Sequence, residues 1–549
     1  MGTKLLLCDC LGSQNVDAGK IADVTALDPS QVYTNLCGTQ AETAAKALEA
    51  GDVIVACAQE SAFFEMLAEE LGVDAPGYVD IRDRAGWSDQ GDKAGPKQAA
   101  LVAEAALDIP VPKVVDVISE GTCLIIGAGE AVFAAAAQLC DTLAVTVLQT
   151  DASDVPLDRR FDVVRGSVRN LNGALGQFRV VIDQLQISEP GGRGDLTFSP
   201  PRDGGVSECD VILDLRGTTP LFPAPEKREG YLRADPAHPP AIGAAILAAS
   251  HLVGTFEQPL YVKTEPLLCA HSRAEKVGCT RCLDLCPTGA ISPSGDHVTV
   301  DPMICAGCGA CSAACPSGAI SYDSPPVDLT FRRVQTLAKA YLDAGGMAPR
   351  LLVVNAHGAE MIALSARHGR GLPADVIPLE ISALNAFGHA EMVAALAAGF
   401  TEVRILAGPT TDREALDTQI ALAAAIGGSG RVALLDTTDP DAMSDALYDA
   451  DAVHQKTTPV RPLGTRRQIT RQAAQALHPE TVALPLPEGA PYGAVLVNTD
   501  ACTLCLSCVS LCPTGALGDN ADLPQLRFQE DACLQCGICS TICPENAIT

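Results

Sequence analysis

The sequence predicts a multidomain α/β protein with open, mostly parallel sheets, interrupted by two small cysteine-rich α+β modules. Three observations predict this. The 549 residues are too many for one core. Short apolar runs of strand length alternate with helix-length segments, the β–α–β pattern of parallel sheets. Sixteen of the 23 cysteines fall in two short blocks, 269–315 and 502–543. The resulting division is an α/β domain at 1–115 carrying a cysteine quartet, a dinucleotide-binding-like domain at 116–262 and a first cysteine module at 263–325. An α/β domain without cysteines follows at 326–455, then a linker at 456–490 and a second cysteine module at 491–549.

The net charge of −29 and the lack of a basic cluster argue against nucleic acid as a partner, because phosphate binding needs a positive footprint. The start, MGTKLLLCDC, has only a three-residue apolar run and does not read as a signal peptide. No uncharged run approaches the roughly 18 residues of a membrane span. The chain is far longer than a disulfide-stapled scaffold, so its many thiols point to a reducing cytoplasm.

In 1–115, KLLLC, VYTNLC and DVIVAC read as short buried strands running into Cys8, Cys37 and Cys57, with a helix at 43–50 between the last two and Cys10 on the first following loop. Ligands of parallel sheets gather at the carboxyl ends of the strands. Cys8, Cys10, Cys37 and Cys57 are therefore a candidate metal site, the alternative being small buried hydrophobes. Cys123, Cys140 and Cys209 lie in apolar segments without partner spacing and read as core residues.

In 116–262, TCLIIGAGEAVFAAAAQLC is a strand, Gly127 and Gly129, then an Ala-rich helix. Such glycines can receive a pyrophosphate at a helix N-terminus. The third glycine of G-x-G-x-x-G is Val132, however, and Glu130 would face the phosphates. No ribose-binding acid is evident after LAVTVL at 143–148. The favoured reading is a degenerate fold without cofactor, and retained FAD at Gly127 and Gly129 is the alternative.

The two modules contain four copies of one phrase: CLDLCPTGAI, CSAACPSGAI, CVSLCPTGAL and CSTICPENAI. Three have the complete C-x2-C-x2-C-x3-C-P run: Cys305, Cys308, Cys311 and Cys315; Cys502, Cys505, Cys508 and Cys512; Cys533, Cys536, Cys539 and Cys543. Three cysteines on a tight loop cover three corners of a cubane, and the fourth, before Pro, ligates the neighbouring cluster. Structural zinc needs only two C-x2-C pairs and gives no reason for the third cysteine or the C-P ending. Both modules resemble two-cluster bacterial ferredoxins. In the first copy Lys276 stands where a cysteine is expected, leaving Cys279, Cys282 and Cys286. Cys269, ten residues before Cys279, can return to that corner, since a longer loop costs little closure entropy. A three-cysteine site completed by His271 or solvent is the alternative. The expected ligand sets are Cys269, Cys279, Cys282 and Cys315; Cys286, Cys305, Cys308 and Cys311; Cys502, Cys505, Cys508 and Cys543; and Cys512, Cys533, Cys536 and Cys539. This makes four [4Fe–4S] clusters, with the N-terminal quartet as a candidate fifth.

The order CDC…LC…AC, then a Gly-rich strand–helix turn, then a ferredoxin insert also resembles the FAD-carrying subunit of heterodisulfide reductases, over residues 1 to about 325. That resemblance implies clusters at the N-terminal cysteines and in the insert, and FAD in the central domain. Asp214 and Arg216 in CDVILDLRG depart from the family's usual small residues.

In 326–455, the runs at 351–354, 376–379, 403–406 and 432–435 predict buried strands. Helices are predicted at 357–366, 388–399 and 411–426, with Thr411 and Glu414 as a capping box. The domain faintly resembles the delta subunit of hydrogenases that partner heterodisulfide reductase, without that family's cysteines. His357 and His389 read as ordinary polar residues. The segment 456–490, rich in Pro and Arg, reads as a linker or docking strap.

No nucleophile elbow, Walker loop or zinc-protease helix is present, and no catalytic residue is assigned. The expected function is one-electron transfer, as an iron–sulfur subunit of a larger oxidoreductase whose redox partner is a protein such as a dehydrogenase or hydrogenase. The alternatives are an FAD-containing reductase and an iron–sulfur assembly or redox-sensing protein.

Overall fold

The computed structural model describes residues 3–189, 196–449, 458–480 and 483–549. The chain divides into two compact units. One contains 1–111, 265–282 and 308–549; the other contains 112–264 and 283–307. The expected first cysteine module is thus shared between them, and each unit is described by itself.

The first unit holds two four-stranded parallel sheets. The N-terminal sheet has the order Asp28–Tyr33, Lys4–Cys8, Val53–Val55, Gly77–Tyr78. The second has the order Val376–Glu380, Arg350–Val354, Glu402–Leu406, Val432–Leu435. In both, the first strand in sequence lies between the second and third, which creates a switch point at its carboxyl end. Side chains alternate across each strand. Leu5 and Leu7 face one side, and Leu6 and Cys8 pack on the other with Leu36, Ala44 and Phe64. The Leu5–Leu7 face joins Leu351, Val353 and Ile405 of the second sheet in a single core. Helices Gly95–Ala105 and Val327–Asp343 contribute Leu101, Val334 and Leu337 to it.

The four strands expected between 350 and 435 are all present and parallel. Helices occupy Ala356–His368, His389–Ala398 and Arg413–Gly427. The cap of the last is corrected. Asp412, not Thr411, accepts the N–H of Ala415, and the Thr411 hydroxyl instead accepts the N–H of Gly408. His389 is buried, with Nδ1 2.7 Å from Gln419 Oε1 and Nε2 2.8 Å from Tyr492 Oη. The segment read as a linker or strap carries helix Arg466–Leu477, which opens on a Thr465/Gln468 capping box and buries Ile469, Ala473 and Leu477.

Burial lowers the His389 imidazole to about 4, and Arg466, Arg281 and Arg467 act in the same direction against the Gln419 hydrogen bond. The unfolded chain takes up this proton near pH 6.5, so the stability tied to neutral His389 is complete above that pH and drains as the pH falls toward 4. Between pH 7 and 5 the loss is expected to be about 2 kcal/mol. Denaturant unfolding at both pH values measures it, and His389→Gln should flatten the difference.

In the second unit a seven-stranded sheet has the order Gly205–Cys209, Phe178–Ile187, Asp162–Asn172, Ala144–Gln149, Thr122–Gly127, Val211–Leu215, Tyr231–Arg233. Its middle is parallel, as the strand–helix pattern predicts, but Asp162–Asn172, Phe178–Ile187 and Gly205–Cys209 form an antiparallel meander. Helix Glu130–Leu139 crosses from Thr122–Gly127 to Ala144–Gln149, and residues 150–161 include no second crossover helix. Cys123 and Cys209 are core residues, and burial pushes the Cys123 thiol up to about 12.

Candidate metal centres

The C-terminal module is a pair of half-units. Each run of three cysteines turns into a short helix, Ser507–Ser510 or Ile538–Ile542, and a hairpin of Leu517–Asp519 and Leu526–Phe528 lies between them. Two cavities result. Cys502, Cys505, Cys508 and Cys543 line one, with Leu526 and Ile548. Cys512, Cys533, Cys536 and Cys539 line the other, with Leu517 and Ile538. Each cavity therefore takes three thiols from one run and the Pro-linked fourth from the other. Burial pushes the Cys539 thiol up to about 11, helped by Cys536, Cys533 and Cys512. Thiols that oppose one another's ionisation need cationic metal to be thiolates together. Hydrogen bonds to sulfur are already in place: Gln535 N–H to Cys533 at 3.5 Å and Ala547 N–H to Cys543 at 3.3 Å.

The cluster-forming loops share one backbone signature. The residues just before and just after the second cysteine have positive φ in all three complete runs: Gly307 and Gly309, Leu504 and Leu506, Gln535 and Gly537. Leucine and glutamine rarely adopt this region, so these turns hold their conformation against local preference. Three residues beyond each Pro-linked cysteine the chain is left-handed again, at Gly289, Gly318, Gly515 and Asn546. Asn tolerates this conformation better than other side chains, which explains the one departure from Gly.

The departed copy is built differently. Between Cys269 and Cys279 the chain forms a hairpin of Ser272–Arg273 and Lys276–Val277, turned by Ala274 and Glu275 at φ 50 and 62. Two successive left-handed residues are the mark of a type I′ turn. The ladder continues outward, with Gly278 N–H donating to His271 O and Cys279 N–H to Ala270 O. Cys269 is thereby returned beside Cys279. Burial raises the Cys282 thiol to about 12, and Cys315, Cys279 and Cys269 all push it further up. His271 sits 4% exposed with Nδ1 3.0 Å from the Cys279 carbonyl oxygen. Cys308 and Cys311 lie in the first unit, while Cys286 and Cys305 lie in the second.

In the N-terminal sheet Cys8 ends its strand, and Cys37 and Cys57 follow theirs on the same edge, four and two residues on. Burial, then Glu60, pushes the Cys37 thiol up, and Cys8 and Cys10 add to it. Burial raises Cys57 too, with Cys37 adding and Arg82 opposing. Cys37 thus stands within electrostatic reach of Cys8, Cys10 and Cys57 at this edge of the sheet. Arg82, which the sequence reading missed, donates to Cys10 Sγ at 3.6 Å and to Asp83 at 2.9 Å. It comes from a single π-helical turn, Arg82–Gly86, which has no periodic signal in sequence.

Among the described residues, no three His, Cys, Asp or Glu side chains converge on a single-ion site. The thiolates of a cubane bind separate irons and stand wider apart than the ligands of one zinc.

At the glycine turn of the second unit, Gly127 is fixed by packing, since a Cβ there would lie 2.8 Å from Val132 Cγ1. Gly129, at φ 72, precedes helix Glu130–Leu139. Desolvation works against the Asp151 carboxylate. Its hydrogen bonds with Ser153, Gln149 and the backbone N–H groups of Ser153 and Gly129 outweigh this and hold it below its ordinary value. The Gly129 contribution is the smallest of these, and it places the Asp151 carboxylate near the glycine turn that Glu130 follows. Asp214, fully buried, is engaged by Arg216 and Tyr231.

No described helix is long and apolar enough to cross a membrane. Comparison with curated proteins finds no relative, and the likeness to heterodisulfide reductases gains no support from it. Family models match twice, each time the 4Fe-4S dicluster domain, at residues 277–319 and 501–548. These are the two regions whose cysteine loops are described above, so the chain carries two iron–sulfur electron-transfer domains.

Proposed function

We propose that the protein is the iron–sulfur subunit of a larger oxidoreductase and passes single electrons between partner proteins in the cytoplasm. The four ligand sets derived from the sequence would each hold a [4Fe–4S] cluster, and Cys8, Cys10, Cys37 and Cys57 a fifth. The observation that carries this reading is the pair of C-terminal cavities, each lined by the four thiols expected to share a cluster. Bound iron would supply the redox chemistry. The chain's own residues would supply thiolates, N–H donors to sulfur and an apolar wall, the groups that set potential and exclude water. Glu130 at the start of the helix after Gly129, with the Asp151 carboxylate near the same turn, favours a chain without flavin, and hence a carrier rather than a hydride-handling reductase.

The test is metal content. Protein purified without oxygen should contain roughly 16 irons if only the dicluster domains are loaded and about 20 with the N-terminal site. It should show broad thiolate-to-iron absorbance bleached by dithionite. A colourless, zinc-loaded protein would overturn the reading, and a yellow flavin released on denaturation would restore the reductase alternative.

A further inference from the structure

The dicluster domains are separated by nearly 200 residues of sequence, yet in the first unit they touch. A Cβ on Gly278 would collide with Ile538 Cγ1 and would lie 3.0 Å from the Cys536 carbonyl oxygen. Gly278 immediately precedes Cys279. Ile538 is fully buried and lines the cavity of Cys512, Cys533, Cys536 and Cys539. One side chain thus separates that cavity from the backbone carrying a ligand of the other module, and Cys279 feels the charge of Cys536 as well as that of Cys315.

The contact is braced by consecutive residues of helix Arg466–Leu477. Arg466 reaches the first module at Ser312, 3.5 Å away and between Cys311 and Cys315, and pairs with buried Glu391. Arg467 donates to the carbonyl oxygens of Glu530, Asp531 and Pro491, holding the loop that leads into Cys533. A guanidinium buried on three carbonyls is a rigid tie, because each lost bond would leave a desolvated acceptor.

We propose that Gly278 and Cys536–Ile538 form an electron-transfer junction joining the Cys269/Cys279/Cys282/Cys315 site to the Cys512/Cys533/Cys536/Cys539 site. The two modules are then one continuous path, not two independent carriers. This rests on the iron–sulfur reading above. With both sets loaded, one electron would cross: the iron held by one set would be oxidised and the iron held by the other reduced, with no bond or proton moving. Glycine at 278 is required because any side chain there would wedge the modules apart.

The test uses the full-length holoprotein, reduced stepwise with dithionite and followed by EPR, with iron counted in every sample. In the wild type, the spectrum of the reduced protein should contain a magnetic interaction beyond the sum of two isolated two-centre modules. Gly278→Leu should keep its iron, lose that interaction and slow electron redistribution after a reducing flash. Ile538→Ala, which opens a gap without a wedge, should weaken it and serves where Gly278→Leu does not load iron. A wild-type spectrum that fits the sum of two isolated modules overturns the junction whatever the variants do. So does an unchanged interaction in an iron-replete Gly278→Leu protein. A wild type without iron overturns the proposed function and the junction together, which separates the two failures.

Discussion

Cys269→Ala is expected to remove about four of the protein's irons, or to convert one cluster to a three-iron form, while leaving the other sites intact. The hairpin is the reason. Its type I′ turn and the Cys279–Ala270 hydrogen bond return Cys269 to the site where Cys279, Cys282 and Cys315 already oppose one another's ionisation. Without it, three thiolates remain for four irons. His271→Ala should leave iron content and spectra unchanged, because its ring is engaged with the Cys279 carbonyl. Iron analysis and EPR of the two variants decide the matter. Full iron in the Cys269 variant, or loss in the His271 variant, would show that the displaced ligand is misassigned.

The second large effect concerns the N-terminal quartet. Cys37→Ser or Cys57→Ser in the full-length chain should lower iron from about 20 to about 16 atoms per chain and reduce resistance to unfolding, since bound metal contributes folding free energy. Cys140→Ser is the control. That thiol donates to the Ala137 carbonyl at 3.4 Å, a bond serine can keep, and it should change neither iron nor cluster spectra. Iron content of about 16 in the unaltered protein, with no loss in either quartet variant, would mark the four cysteines as core residues.

The two dicluster domains were legible because ligand spacing is local and repeats four times. Strands such as Arg350–Val354 were legible because every residue in them is buried and four of the five are apolar. The elements that escaped depend on contacts remote in sequence. Helix Arg466–Leu477 has a narrow apolar stripe, and its buried Arg467 is explained only by carbonyls more than twenty residues away. The hairpin turn is Ala-Glu, not the Asn-Gly that would advertise a type I′ turn. Arg82 reaches Cys10 from 72 residues away. The boundary at 115 follows from local strand–helix patterns, which carry no sign that Leu5 and Leu351 share a core.

With iron at the quartet, that common core would give the cysteine-free sheet a stake in iron supply. Leu5, Leu7 and Ile54 are buttressed by Leu351, Val353 and Ile405, so whatever steadies one sheet steadies the other. Iron captured at the quartet would raise the cost of opening both by mass action. Amide hydrogen exchange along Arg350–Val354 and Glu402–Leu406, strands that contain no ligand, should then slow when iron is loaded and quicken when it is stripped. A region without a single cysteine would act as the protein's gauge of its own metallation, and quality-control proteases would encounter an iron-starved chain there as well as at its empty sites.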